Sequence, residues 1–299
     1  MPRMDRMAHW HAIAAAQVCE VPRVPFYIQD GQAGGTSRLE SGSVAVAHLE
    51  ALTRWPEALH VDDRSVTLAL PATDRTPFFA EVNAALHEAG LIVAWRDETY
   101  PVLDLASHRL LATFERAASR FWGSLTFGAH CNGYIDDEYG RPSHLWIARR
   151  AWTKATDPGR LDNLIGGGVP HGQTPIQTVR REGWEEAGLL PEHLSALRPG
   201  RILRLGRDIA EGFQLEEISV FDLALPAALQ PCNQDGEVGE WMRLTLAEAL
   251  ERAADDEMTV DAALVTLDFA LRHHLPCPGL SEALLARSAA LWHGTTSMT

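Results

Sequence analysis

The sequence predicts an α/β protein of two units: a small α+β unit over residues 1–120 and an α/β/α sandwich with a mixed sheet over residues 121–299. Three observations lead to this prediction. The chain has 299 residues and 46% hydrophobic composition, enough to bury one large core or two modest ones. Strand and helix patterns follow one another along both units, which is typical of an α/β fold. No internal repeat or low-complexity tract interrupts them.

Hydrophobic periodicity and turn residues locate the elements of both units. In the first unit they predict an extended segment at 22–28, strands at 61–70 and 91–96, and helices at 8–18, 44–52, 77–88 and 104–120. In the second unit they predict strands at 123–135, 144–150, 201–206, 213–223 and 240–244, and helices at 246–253 and 259–274.

The most informative stretch is a glycine loop that leads into a short acidic helix. The run Gly166-Gly167-Gly168 has no side chains and permits close approach of a ligand to the backbone. The segment Thr174-Pro175-Ile176-Gln177 is a capping box with proline at the first helical position, so a helix is expected to begin there. Gly188 is expected to end that helix in a left-handed conformation.

Three glutamates of this helix, Glu182, Glu185 and Glu186, are spaced i, i+3 and i+4 and therefore share one helical face. Their like charges repel one another unless a positive group lies between them. A hard divalent cation, which binds oxygen ligands, would neutralise that repulsion. The alternative is a solvated acidic stripe on a surface helix, but the preceding glycines and the fixed spacing favour the metal site.

Charge and cysteine content bear on the partners and the compartment. The formal net charge is −14, from 26 basic and 40 acidic residues. A field of this sign disfavours nucleic acid and anionic membranes as partners, and a small-molecule polyphosphate would need metal ions. The cysteines (Cys19, Cys131, Cys232 and Cys277) are widely separated, which indicates the reduced thiols of a cytoplasmic protein. We expect neither a signal peptide nor a membrane span, because no apolar run is long enough.

At their spacing, the glycine loop and acidic helix resemble the Nudix box of the Nudix (MutT-like) hydrolase superfamily. The pattern of that box is G-x5-E-x7-R-E-U-x-E-E-x-G-U, where U is a bulky apolar residue. Its fixed positions are matched by Gly167, Arg181, Glu182, Glu185, Glu186, Gly188 and Leu189. Two positions differ, because Gln173 replaces the first glutamate and Gly183 replaces the first apolar residue. The resemblance implies the Nudix α/β/α fold and a pyrophosphohydrolase activity.

A narrower resemblance covers nearly the whole chain. Together with the box, five segments are similar to the Nudix proteins described as thiamine-pyrophosphokinase-related, which carry an additional N-terminal domain. These segments are residues 127–134, 145–150, 154–163, 235–238 and 268–273. The resemblance implies cleavage of a small-molecule diphosphate that depends on Mg²⁺ or Mn²⁺. Some members of the group act on damaged forms of thiamine diphosphate and release the monophosphate and phosphate.

The resemblance also implies a metal site. Its ligands would be Glu182, Glu185 and Glu186, joined by the backbone carbonyl of Gly166 or Gly167. A metal there screens the phosphate oxygens and lowers the pKa of a bound water. Neither departure from the pattern removes one of these ligands.

Two further positions complete the catalytic set that the resemblance implies. In such boxes Arg181 forms a salt bridge to the first glutamate of the pattern, so here we expect a hydrogen bond between Arg181 and Gln173. Hydrolysis also needs a carboxylate as general base. Glu182 and Glu237 are both candidates for that role, and the sequence does not choose between them.

Residues upstream of the box are candidates for substrate binding. In the functional interpretation Lys154 and Arg160 bind the phosphates, and Asn163 forms hydrogen bonds nearby. His130 and Asn132 then face the pocket and contact the organic group. In the alternative interpretation these residues belong only to a connecting turn and a core strand.

Three functional classes stay open. The first is a diphosphate hydrolase that acts on thiamine diphosphate derivatives or on nucleoside diphosphate-linked compounds. The second is an allylic-diphosphate isomerase on the same fold, which requires a reactive cysteine such as Cys131 in the pocket. The third is a non-catalytic binding module, although the intact glutamates of the box favour catalysis.

The N-terminal unit has two alternative roles. It carries Trp10, Trp55 and Trp95, whose aromatic faces would suit one wall of a pocket for a flat cationic heterocycle. In the other interpretation the unit serves stability or the formation of a homodimer, and it never meets the ligand.

Overall fold

The structure is a computed structural model that describes residues 9–30 and 37–298. Within these residues the strands form a four-stranded, a two-stranded and an eight-stranded sheet. No helix of this part of the chain combines the length and apolarity needed to cross a membrane. Residue 8, at which the first predicted helix begins, lies outside the described residues.

The first unit contains a small mixed sheet and a hairpin. Its elements in chain order are α1 (His11–Ala15), β1 (Arg23–Asp30), β2 (Ser37–Ala45), α2 (Leu49–Leu52), β3 (Leu59–Val61), β4 (Val66–Leu68), α3 (Ala72–Glu88), β5 (Thr99–Leu103), β6 (Leu110–Glu115) and α4 (Ala118–Trp122). The sheet has the order β2-β1-β4-β3, with β1 antiparallel to β2 and parallel to β4. Strands β5 and β6 form the hairpin. These elements confirm an α+β unit.

An aromatic cluster holds the first unit together. The Trp122 ring lies 4.7 Å from that of Phe26 and 5.6 Å from that of Phe79, measured between ring centres. Trp122 Nε1 donates a hydrogen bond to Asn83 Oδ1 at 2.8 Å, so the polar edge of the buried indole is satisfied. The core of the first unit therefore extends past residue 120, the boundary that the sequence predicts.

Some elements of the first unit differ from the predictions. The helix predicted at 104–120 is wrong, because residues 110–115 pair with β5 as strand β6. Residues 91–96 form an irregular, bent segment in place of the predicted strand, and Ala94 adopts a φ of 59°. The strand predicted at 61–70 is divided into β3 and β4 by a turn, in which Asp62 Oδ1 accepts from the backbone N–H groups of Arg64 and Ser65.

The second unit follows the predicted order of elements, with short additional strands. They are β7 (Leu125–Asp136), β8 (Pro142–Arg150), β9 (Leu161–Asp162), β10 (Ile165–Gly168), α5 (Pro175–Ala187), β11 (Leu197–Ile209), β12 (Gly212–Ala224), β13 (Val238–Thr245), α6 (Leu246–Ala254), α7 (Val260–Arg272), α8 (Glu282–Ser288) and β14 (Trp292–Thr295). The main sheet has the order β13-β8-β7-β12-β11-β14. Strands β7 and β12 are parallel and the other pairs are antiparallel, so the sheet is mixed as predicted.

Helices cover both faces of this sheet, which confirms the α/β/α sandwich. Successive residues of β8 alternate between two cores, with Leu145 and Ile147 in one and Trp146 in the other. The first core includes residues of α6 and α7, and the second includes Val179 and Ala187 of α5. Helix α5 therefore packs on the opposite face of the sheet from α6 and α7.

The first described residues pack on the second unit. Trp10 is fully buried in the core that α6 and α7 share with the sheet, and its Nε1 donates to Pro278 O at 2.8 Å. Gly206 N of β11 donates to Ala16 O at 3.1 Å. The segment that contains Trp10 and Ala16 therefore packs on the second unit, although the predicted division at residue 120 assigns it to the first.

Candidate functional site

Helix α5 carries the acidic face, and its two ends form as predicted. Thr174 Oγ1 accepts a hydrogen bond from Gln177 N at 3.4 Å, and Gln177 Oε1 accepts one from Thr174 N at 2.9 Å. These reciprocal bonds confirm the capping box. Gly188 ends the helix with a φ of 65°, a left-handed conformation that glycine adopts without steric cost.

Strand β10 lies beside this helix, and its glycines permit two close approaches. A Cβ added to Gly167 would overlap the carboxylate of Glu182. A Cβ added to Gly168 would overlap the hydroxyl of Tyr100, which belongs to the N-terminal unit. The glycine run is therefore the place where the acidic helix and the N-terminal unit come together.

The three glutamates of the acidic face differ in exposure. Glu186 is buried, and its Oε2 accepts a hydrogen bond from Gly166 N at 3.0 Å. Burial raises the pKa of Glu186 well above its ordinary value, and the charge of Glu182 raises it further. Burial raises the pKa of Glu182 to about 7, because the neighbouring Arg181 only partly offsets it. Glu185, by contrast, has 38% of its side chain exposed.

Arg181 lies between two of these carboxylates. Its Nη2 is 2.8 Å from Glu182 Oε1, and its Nη1 is 2.8 Å from Glu185 Oε2. The predicted hydrogen bond between Arg181 and Gln173 is wrong, because Gln173 Oε1 instead accepts from Thr178 Oγ1 at 3.4 Å. With no carboxylate at position 173, the guanidinium pairs with the glutamates of its own helix.

The acidic face fits a divalent cation in its chemistry, although its carboxylates do not converge in this conformation. In the part of the chain that the structure describes, no three His, Cys, Asp or Glu residues are arranged to hold an ion, and two of the glutamates contact Arg181 instead. The fit rests on two observations: the buried carboxyl groups of Glu182 and Glu186 repel each other, and Gly167 has no side chain where Glu182 lies. Carboxylate and carbonyl oxygens are the ligands that Mg²⁺ and Mn²⁺ prefer.

A cleft of about 890 Å³ opens at the acidic face and receives residues from both units. The N-terminal unit contributes mainly polar residues near its end, among them Arg96, Glu98, Arg116 and Arg120. The predicted site residues that line the cleft are His130, Lys154, Gly166, Gly167, Arg181, Glu182, Glu185 and Glu237. Acidic residues outnumber basic residues in the lining, so the cleft needs cations to receive a polyphosphate.

Lys154 and Glu237 form an ion pair at the cleft wall. Only 15% of the Lys154 side chain is exposed, against 45% of the Glu237 side chain. Burial raises the pKa of Glu237, but the Lys154 ammonium outweighs burial and holds that pKa below its ordinary value. Glu237 is therefore ionised at neutral pH, and Lys154 already has a carboxylate partner.

Arg160 lies outside the cleft, contrary to the prediction that it binds substrate phosphates. Its Nε donates to Met258 O at 3.0 Å, and its Nη2 lies 2.7 Å from Asp256 Oδ1. Both partners belong to the connection between α6 and α7. Arg160 therefore fastens the loop before β9 to that connection.

Asn132 and Asn163 are buried behind the cleft, each 2% exposed, and contrary to the prediction neither lines it. Asn163 Nδ2 donates to Asn132 Oδ1 at 3.3 Å, and Asn132 Nδ2 donates to Asp222 Oδ1 at 3.1 Å. His130 does line the cleft, and its Nδ1 lies 3.0 Å from Asn163 Oδ1. The two amides therefore support His130 from behind.

Two family models match the chain in succession. A domain of unknown function (DUF4743) matches residues 8–125, and the NUDIX domain matches residues 130–264. The chain belongs to the Nudix hydrolase superfamily. Its N-terminal unit is thus an additional domain that precedes the Nudix domain, as the narrower resemblance implies.

Two relatives of this Nudix protein come from Arabidopsis thaliana. Nudix hydrolase 24, chloroplastic, is 33% identical over 211 residues, and the match covers 69% of this chain and 56% of that protein. Nudix hydrolase 20, chloroplastic, is 33% identical over 202 residues, and the match covers 67% of this chain and 53% of that protein. This chain spans about half the length of the curated relatives it matches. Because both are named chloroplastic, the cytoplasmic location stays a prediction.

Solved structures also include similar chains. The crystal structure of DR0079 from Deinococcus radiodurans has a TM-score of 0.43 and 23% sequence identity with this protein. The match covers 57% of this chain and 99% of that one.

Several charged residues of the Nudix cleft are absent from the sequence predictions. Arg150 Nη1 donates to Asp162 Oδ2 at 2.8 Å, and Arg120 Nη2 lies 3.1 Å from Glu216 Oε2. Glu216 occupies a buried position of β12 and is 8% exposed, so a charged residue at an inward strand position is a usable signal. Arg120 offers no such signal, because its place in the cleft depends on how the two units meet.

The environment of Cys131 argues against an isomerase. The thiol is fully buried in the Nudix core, and burial raises its pKa well above the ordinary value. A protonated and inaccessible thiol is a poor nucleophile. No cysteine is present in the cleft lining that the described residues form.

The aromatic wall expected from the N-terminal tryptophans is not formed. Trp10 is buried in the core of the Nudix domain, Trp55 is 8% exposed in the N-terminal core, and Trp95 packs against that core. None of the three lines the cleft. The N-terminal unit instead meets the cleft through charged residues such as Arg116.

Proposed function

We propose that the protein is a metal-dependent diphosphate hydrolase that uses Mg²⁺ or Mn²⁺. The observation that carries the proposal is the acidic face of α5, which lies against the glycine strand at the cleft. Glu182 and Glu185 line the cleft there, and Glu186 is buried beside them. Carboxylates at this spacing, beside a cleft large enough for an organic diphosphate, suit a metal-assisted hydrolysis.

The ligands of the cation would be the three glutamates, Glu182, Glu185 and Glu186, with a backbone carbonyl of Gly166 or Gly167. When bound, the metal neutralises phosphate oxygens and lowers the pKa of a coordinated water. The hydrogen bond from Gly166 N fixes one oxygen of the Glu186 carboxylate, so its other oxygen has a defined direction. The ion pairs of Arg181 with Glu182 and Glu185 would break, because the positive charge of the metal would replace that of the guanidinium.

A general base must also accept a proton from the attacking water. We assign this role to Glu237 and keep Glu182 as the second candidate. Lys154 holds Glu237 in its ionised form at the cleft wall, where it is close enough to Glu182 to influence that group's pKa. A carboxylate bound to a dication is a weaker base, which counts against Glu182. E237Q is therefore expected to lower kcat while Mg²⁺ binding, measured by calorimetry, is retained.

Thiamine diphosphate derivatives are the first substrates that we propose. Besides the resemblance, the support comes from the excess of acidic over basic residues in the cleft lining, which suits a cationic organic group. The described lining contains no Trp, Tyr or Phe, so recognition would depend on charge and hydrogen bonds and not on ring stacking. That polar lining also favours nucleoside diphosphate-linked compounds, the second candidate.

The experiment that tests the function is a substrate panel with Mg²⁺, Mn²⁺ or EDTA. The panel contains thiamine diphosphate, its damaged derivatives and ADP-ribose, and the products are followed by chromatography and phosphate release. Cleavage that depends on metal is the expected result, with phosphate released from the thiamine compounds. Tight binding of a panel member without any cleavage would identify a non-catalytic binding module instead.

A further inference from the structure

Most cations that the Nudix domain contributes to the cleft are already paired with its own carboxylates. These pairs are Arg150 with Asp162, Lys154 with Glu237, and Arg181 with Glu182 and Glu185. Arg207 is the exception, because its Nε donates to the neutral Gln214 at 2.7 Å. An incoming phosphate must therefore compete with protein carboxylates for most of these side chains.

Arg116 reaches the cleft from the N-terminal domain, directly after strand β6. Its Nη1 lies 3.0 Å from one oxygen of Glu98 and 3.3 Å from the other, so a carboxylate orients the guanidinium. Its Nη2 and Nε have no hydrogen-bond partner among residues 9–30 and 37–298. The side chain is 28% exposed and lines the cleft, so a ligand there can reach the guanidinium that Glu98 orients.

Tyr100 brings a second donor to the same place. A Cβ added to Gly168 would overlap the Tyr100 hydroxyl and would lie 3.1 Å from Arg116 Nη2, so both groups approach β10 at one point. The hydroxyl is buried and has no hydrogen-bond partner in the described part of the chain. The Arg116 guanidinium carbon lies 5.4 Å from the centre of the Tyr100 ring, which restrains the arginine further.

We propose that Arg116, positioned by Glu98 and Tyr100, binds a phosphate group of the substrate and is the anion site that the N-terminal domain adds to the Nudix cleft. The inference rests on the proposed function only in taking the substrate to be an anion that carries phosphate. An arginine suits this role because its planar fork presents several N–H donors to phosphate oxygens at once. The N-terminal domain would then complete the substrate site.

Binding of methylenediphosphonate, a diphosphate analogue with a P–C–P bridge, tests this by isothermal titration calorimetry with Mg²⁺. The full chain is compared with R116Q and with the control R109Q. Arg109 belongs to the same domain, lies 2.6 Å from Asp30 and does not line the cleft. R116Q is expected to weaken binding about tenfold or more, because an ionic hydrogen bond is lost, and R109Q is expected to bind like the wild type. Equal affinity of the two variants, or no binding by the wild type at millimolar concentration, overturns the proposal.

Glu98→Gln tests the proposal in the opposite direction. The substitution keeps a hydrogen-bond acceptor for Arg116 but removes the charge that competes with the ligand. Affinity for methylenediphosphonate is expected to rise by a few fold. If affinity falls, the contact between Glu98 and Arg116 is a structural ion pair and the anion role is wrong.

Arg116→Lys covers the case in which R116Q does not fold, since lysine retains a positive partner for Glu98. The lysine ammonium lacks the planar fork of N–H donors that arginine presents, so methylenediphosphonate is expected to bind more weakly than to the wild type. Equal binding overturns the proposal. Turnover measured on the same variants separates the two proposals. Binding that is lost in R116Q, with no cleavage by any variant, supports the anion site and defeats the hydrolase. Cleavage with the same KM in R116Q and R109Q supports the hydrolase and overturns the anion site.

Discussion

His130 Nδ1 lies 3.0 Å from Asn163 Oδ1, and this contact leaves Nε2 as the ring nitrogen available to a ligand. Asn163 Nδ2 lies 3.4 Å from the carbonyl oxygen of Ala262, which can only accept a hydrogen bond. The amide must therefore present its oxygen to His130, so Nδ1 is the donor. In the neutral ring Nε2 then carries the lone pair, and His130 offers a hydrogen-bond acceptor to the cleft.

Asn163→Leu is expected to lower the free energy of unfolding by about 1–3 kcal/mol, because Asn132 and Thr266 would lose a buried partner. Urea denaturation followed by circular dichroism measures the change. Gln230→Leu, at an exposed position, serves as the control and should shift that free energy by less than about 0.5 kcal/mol. Equal stability of N163L and Q230L would show that the buried amides contribute nothing.

Glu186→Gln is expected to reduce turnover by orders of magnitude while the fold is retained. The amide oxygen still accepts from Gly166 N, but the anionic ligand is lost. Because Glu186 is buried with a raised pKa, its removal should leave the melting temperature of the metal-free protein unchanged or higher. Product release and melting curves are compared with those of E192Q at an exposed position. Full activity in E186Q would remove this residue from the metal site.

Trp10→Ala is expected to lower the free energy of unfolding by about 3–5 kcal/mol, although Trp10 lies in the segment that matches the N-terminal domain. The indole is fully buried in the core of the Nudix domain, and its truncation would leave a cavity there. Trp152→Ala is the matched control, since that indole is 77% exposed. Chemical denaturation distinguishes them. A small loss in both variants would contradict the packing of α1 on the second unit.

Asp222 is expected to make stability depend on acid pH. Burial raises its pKa, but bonds from His273, Arg272 and Asn132 outweigh burial and hold the pKa below its ordinary value. A depressed carboxyl pKa contributes stability above the unfolded pKa, and that stability is lost as the pH falls through the folded pKa. D222N should cost about 3–5 kcal/mol at neutral pH, because it leaves Arg272 with one carboxylate fewer.

The difference between the wild type and D222N should therefore shrink below a pH of about 4, where the unfolded carboxyl is protonated. Urea denaturation at a series of pH values measures this difference. D63N is the control, because Asp63 lies at an exposed position where a substitution is expected to change stability little. A constant difference down to the lowest pH at which the protein folds would contradict the prediction for Asp222.

The sequence by itself determined the features that depend on neighbours within one turn or one strand. The capping box from Thr174 to Gln177, the end of α5 at Gly188 and the shared face of the glutamates all follow from local spacing. Strand β12 follows from a period of two, since every second residue from Gln214 to Val220 is buried. These signals were also enough to recognise the family and to predict where the acidic site lies along the chain.

Tertiary structure alone decided which partner each charged or amide side chain takes. Arg181 pairs with its own helix and not with Gln173, Arg160 is held by Asp256, and Arg116 enters the cleft from the other domain. Such a choice depends on which of several chemically equivalent partners the fold brings near. It also depends on burial, which decides whether Glu186 keeps its ordinary pKa. Contacts of this kind join residues far apart in the chain, so no local pattern encodes them.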